Sequence, residues 1–175
     1  MAAATHYKGW REALRLEIEG LAFDPARARL LIGLRGPVWP GRSLVIALEN
    51  PDAAFAGARP RLSLLPLDLG GGGIRALEYV PALHAFVLTA RNEDFAGAPF
   101  TFWRWSGEAG SPPGRLHPPR IRGGLRHPEG VAPVTIRGQR GLLVVSDDGS
   151  TAKGRAGHYL FLSYARLVPA PKGRR

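Results

Sequence analysis

Residues Leu16–Pro37 read LEIEGLAFDPARARLLIGLRGP: a strand, a tight turn and a second strand. In the turn Asp24-Pro25-Ala26-Arg27, Pro fixes φ and Asp can bond its own backbone. Two later stretches echo the first: Ile74–Arg91, IRALEYVPALHAFVLTAR, and His127–Gly149, HPEGVAPVTIRGQRGLLVVSDDG. Ile18, Glu19, Leu21 and Pro25 fall on Ile74, Arg75, Leu77 and Pro81 without a gap. Glu19 to Arg35 is 16 positions, as is Arg75 to Arg91, while Glu129 to Asp147 is 18, a turn two residues longer. The step from Glu19 to Arg75 is 56 and from Arg75 to Glu129 is 54. A period of this size in a strand-rich chain points to propeller blades or a solenoid. Each blade is then a four-stranded antiparallel sheet.

The expected fold is all-β, a partial β-propeller of about three four-stranded antiparallel blades. It forms a single domain over residues 1–175, with blade equivalents near 14–70, 71–122 and 123–168 and a tail at 169–175. The first blade takes strands near 17–23, 29–34, 43–48 and 61–67, with a loop over 49–60. The second takes 74–79, 85–90 and 99–106, and a Pro-broken edge strand within 114–121. The third takes 130–136, 141–146 and 158–166, with no evident fourth strand. Tyr7–Leu16 is a helical turn or the outer strand of a preceding blade. Gly70–Gly73 precedes the second copy as Gly123-Gly124 precedes the third. No Lys-Ser/Thr pair follows, so a crossover turn is favoured over a phosphate cradle. The alternating aromatic strand FTFWRW, Phe100–Trp105, reads as packing between blades.

At 45% apolar the chain can bury a core. No apolar run approaches the ~18 residues of a membrane span, so no membrane partner is expected. The opening MAAATHYKGWREAL has no apolar core of a secretory signal, and there is no Cys; both fit the cytoplasm. The net charge is +10. With Lys8, Lys153 and Lys172 the lysines, 21 of 24 cations are Arg, as coding bias in a GC-rich genome produces. The Arg are spread along the chain, densest at Arg115, Arg120, Arg122 and Arg126. A nucleic-acid partner is therefore disfavoured.

The EGLA-type first strand, Gly73-Ile74-Arg75 opening the second copy, and VVSDDG at Val144–Gly149 together resemble a bacterial family, domain of unknown function 3616. The likeness runs from about Leu16 to Leu167. It implies a propeller, and since family members carry further blades upstream, this chain resembles their C-terminal part. More distantly the repeat resembles lactonase-like and esterase-like phytase propellers. There, acidic residues on inner strands hold a metal at the central channel. The family brings no activity with it.

Glu19, Arg75 and Glu129 hold one equivalent position in three blades. Inner strands line the channel, so all three are expected to point to the axis. Two readings stand. Glu19 and Glu129 hold a hard cation such as Ca2+, completed by carbonyls and water. Alternatively Arg75 pairs with one or both Glu, and this reading is favoured. Asp147 and Asp148 end a second strand where Arg35 and Arg91 end the others. They form a metal or general-base site, or close the strand into an Asp-Asp-Gly turn, which is favoured. His127, two residues before Glu129, can reach the same rim. Ser146 lacks a G-x-S-x-G elbow. The function read from these residues is a metal or small-ligand site in the channel and strand-end loops, hydrolytic or not. The alternative is a non-enzymatic interaction scaffold. Three blades do not close a ring, so missing upstream blades or a homo-oligomer is expected.

Overall fold

A computed structural model describes residues 16–92, 98–118, 125 and 127–169 of the 175. Among these described residues, twelve strands form three antiparallel sheets. The first sheet runs β1 (Glu17–Asp24), β2 (Arg29–Gly36), β3 (Ser43–Leu48) and β4 (Leu62–Leu67), in that order. The second runs β5 (Gly73–Val80), β6 (Ala85–Arg91), β7 (Thr101–Trp105) and β8 (Gly114–His117). The third runs β9 (Pro128–Ile136), β10 (Gln139–Ser146) and β11 (His158–Ser163). A final two-residue strand, β12 (Val168–Pro169), pairs with β8. The all-β reading holds, and the sheet arrangement is consistent with a partial propeller. β1 packs beside β5 and β5 beside β9, so these three are the inner strands.

The β1–β2 turn forms as its sequence dictates. The Ala26 amide donates to Asp24 Oδ1 at 3.2 Å and the Arg27 amide to the Asp24 carbonyl at 3.3 Å. Asp24 is also buried against Arg29 Nε at 3.0 Å, and Arg29 Nη2 donates to the Gly107 carbonyl at 2.6 Å. One guanidinium thus ties the turn end of the first sheet to the loop after β7.

Apolar clusters lie between successive sheets. Leu31, Val45 and Leu65 of the first sheet meet Ile74, Leu77, Phe86 and Trp105 of the second. Val87, Phe102 and Leu116 of the second meet Val131, Leu142, Val144 and Leu162 of the third. Phe102 and Trp105 go to opposite clusters, as the alternating strand requires, so β7 packs between sheets. Approach between the first two sheets is close. A Cβ on Gly33 would stand 2.8 Å from Ile74 Cγ2, and one on Gly20 2.8 Å from Leu77 Cβ.

Several elements depart from the sequence expectation. The loop over 49–60 carries a short helix, α1 (Pro51–Phe55), opened by Pro in its first turn. Among the described residues the second sheet has five strands rather than four, while the third has three, as its sequence offered no evident fourth. After β11 the chain turns through a 3-10 segment at Tyr164–Arg166, and Leu167 is buried in the second cluster. That contact carries the chain to the open edge of β8. Asp147 to Gly149 is not a tight turn. Gly149 has no positive φ, and the reversal comes later, where Ser150 bridges Arg155. Gly70 and Gly71 are left-handed, at φ of 73° and 75°, as a crossover turn requires. Tyr7–Arg15, Arg120, Arg122, Gly123-Gly124, Arg126 and the tail from Ala170 lie outside the described residues.

Candidate functional site at the inner strand ends

Each inner strand carries an irregularity at the same place. β1 pairs Ile18 with Leu34 and Gly20 with Gly33, passing over Glu19. β5 pairs Ile74 with Ala90 and Ala76 with Thr89, passing over Arg75. β9 pairs Pro128 with Ser146 and Gly130 with Val145, passing over Glu129. A bulged residue leaves the ladder and its side chain is re-aimed. Three bulges at one level bring three charged side chains together.

Arg75 is their centre. Its Nη1 donates to Glu19 Oε2 at 2.9 Å and to Glu129 Oε1 at 3.4 Å. Glu19 is 28% exposed and Glu129 39%, whereas the Arg75 side chain is 6% exposed. An unpaired charge at that burial is very costly, and the two carboxylates offset the cost. One guanidinium on the second sheet therefore joins the first sheet to the third. Glu19 is shared: its Oε1 accepts from Arg35 Nη1 at 3.1 Å, and Arg35 Nε lies 3.1 Å from Glu17 Oε2.

Aromatic contacts extend the cluster. The Phe100 ring centroid lies 5.9 Å from the Arg75 guanidinium carbon and 5.3 Å from that of Arg91. The His127 ring meets Phe100 edge-on at 5.8 Å. Glu19, Arg35, Arg75, His127 and Glu129 thus belong to one neighbourhood.

Asp147 and Asp148 do different things. Asp147 is exposed, and its amide donates to the His127 carbonyl at 3.0 Å. Asp148 has a side chain 5% exposed. Its Oδ1 accepts from the His127 amide at 3.1 Å, and its Oδ2 lies 3.4 Å from His158 Nδ1. Ser146 Oγ accepts from the same His127 amide at 3.0 Å. Asp148 therefore fastens the start of β9 to the end of β10 rather than capping its own turn. Among the described residues, no group of three or more His, Asp or Glu is placed to share a metal ion.

Beside Arg35 lies an open groove of about 250 Å³. Glu17, Arg35 and Asn92 give it polar walls, and Gly36, Gly71 and Gly73 bring backbone to its surface. Gly73 is required there, since any Cβ would strike the Arg35 carbonyl. Asn92 is held by its Nδ2, which donates to the Gly70 carbonyl at 3.4 Å. Sequence reasoning missed Glu17, Asn92 and Phe100. Asn92 directly follows Arg91, the repeat partner of Arg35, so the repeat carries a signal for it. Glu17 falls on Gly73 and His127 in the other copies, so the repeat marks it too, whereas Phe100 has no such signal.

A family model described as a protein of unknown function, DUF3616, matches residues 14–161. The chain belongs to the DUF3616 family. That match spans all three copies of the repeat and every bulge residue of the site. No curated protein matches the chain, and no solved structure does. For this DUF3616 chain, function must be argued from the site alone.

Proposed function

We propose that this chain is a small-ligand-binding module of propeller-like build, with its site in the groove beside Arg35. The observation that carries this reading is the amphoteric groove wall. Arg35 offers five N–H donors, of which Glu17 and Glu19 engage only a part, and it is 35% exposed. Glu17 accepts and Asn92 does both. Such a wall suits a small molecule bearing a carboxylate or phosphate next to a hydroxyl or amine. The net charge of +10 favours anions at long range.

In the lactonase-like and phytase propellers that the repeat resembles, inner-strand acids hold a metal. Here Glu19 and Glu129 both face Arg75, which repels a cation, so Ca2+ has less support than an organic anion or phosphate. A second reading, an interaction scaffold, draws support from Arg75 itself, a buried cation that links three sheets. Titration calorimetry with lactate, glycine and inorganic phosphate tests the binding reading. Saturable heat with at least one probe is expected, falling at least tenfold in affinity in Arg35→Gln. Equal binding by Arg35→Gln, or no heat with any probe, would sink it. A melting shift with CaCl2 that Glu129→Gln abolishes would establish the cation reading instead, because a ligand of the folded state alone must stabilise it.

A further inference from the structure

We propose that the two end faces of the sheet stack each bind the opposite end face of a second copy of this chain, closing one ring of six sheets. The inference does not rest on the ligand reading. It rests on the positions at which successive sheets already meet. Gly33 of the first sheet stands against Ile74 of the second, so closely that a Cβ would come within 2.8 Å of Ile74 Cγ2. Thr89 of the second donates to the Pro128 carbonyl of the third at 3.0 Å. Thr89 lies 56 positions after Gly33, and 56 further on is Val145. Counting 56 back from Ile74 gives Ile18. Val145 and Ile18 are therefore the two halves of a third such contact, held apart at opposite ends of one chain.

Exposure agrees. Ile74 and Leu77 are 0% and 4% exposed, and Thr89 is 0% exposed. Their end-of-stack equivalents are open: Ile18 at 57%, Leu21 at 62% and Val145 at 46%. Phe23 and Leu62 extend the first face; Ile136 and Tyr159 extend the other. Open apolar sheet faces of this kind drive association.

A second copy is the occupant that the repeat favours, because its end faces carry the repeat equivalents of positions that already meet within one chain. The three observed sheets span 17–67, 73–117 and 128–163. A second chain presents both missing faces at once. Two three-sheet units related by a two-fold axis satisfy all four end faces. Six sheets lie within the range of about four to eight that closes a propeller.

The test uses the full chain, which has no Cys of its own. Light scattering is expected to give twice the chain mass. Under oxidation, a mixture of Ile18→Cys and Val145→Cys chains should form cross-linked dimers, while either variant alone should not. Val145→Asp should lower the dimer association constant at least tenfold, with its far-UV circular dichroism unchanged. A monomer that melts cooperatively at high concentration would overturn the proposal, as would cross-linking of either single variant with itself. So would an Ile18→Cys/Val145→Cys chain that links within one molecule.

Discussion

Arg75 carries a charge link between all three sheets, beside the apolar clusters that pack them. Glu19, Arg75 and Glu129 align in the repeat, and the structure brings them within ion-pair distance of one another through Arg75. The bulges are not legible, because a bulge depends on which residue the neighbouring strand skips. Nor is Phe100, which comes from a segment outside the aligned core of the repeat. At the same scale Glu78 gives a pH signature. Its partial burial on β5 holds the carboxyl above its ordinary range. The folded state then binds that proton more tightly than the unfolded state. The resulting penalty is absent below the unfolded pKa and full above the folded pKa. Glu78→Gln should therefore melt above the parent at neutral pH and match it at about pH 4, near the unperturbed carboxylate pKa. A gain that persists at low pH would mean the effect is packing, not charge.

Among elements, the inner strands are the best predicted and the connections the worst. β3 falls where its apolar run SLVIAL predicts, because β-branched and aliphatic residues in a short run leave little choice. The Pro-dense stretch after Gly110 still yields β8, since Pro112, Pro113 and Pro118 lie outside its four residues. β12 was beyond sequence reasoning. Two residues carry no periodicity, and only the anchoring of Leu167 brings them to β8. The Asp-Asp-Gly turn failed for a related reason. Asp148 found a backbone donor on a neighbouring strand, at His127, rather than within its own loop. Glycine placement along elements gives a prediction in stability. Gly73→Ala pushes a Cβ into the Arg35 carbonyl and should cost about 1–3 kcal/mol in urea unfolding, as overpacking does. Gly114→Ala on β8 meets nothing closer than 3.9 Å and should stay within about 0.5 kcal/mol of the parent. Equal losses in the two would contradict the close passage of β5 beside β2.

At the scale of the whole molecule, Arg75 makes three sheets one unit. Sheets that meet only through apolar clusters would transmit nothing between Glu19 on the first and Glu129 on the third. Both carboxylates instead share one buried guanidinium, so removing either changes what the other is worth. The groove depends on the same unit, since its walls come from the first sheet, the second sheet and the crossover between them. A thermodynamic cycle measures this directly, with urea unfolding of the parent, Glu19→Gln, Glu129→Gln and the double variant. Both carboxylates are partly exposed, so the coupling is expected at the low end of the range for linked groups, about 0.5–1 kcal/mol. Additivity within about 0.3 kcal/mol would mean that the first and third sheets are energetically independent, and would contradict the account.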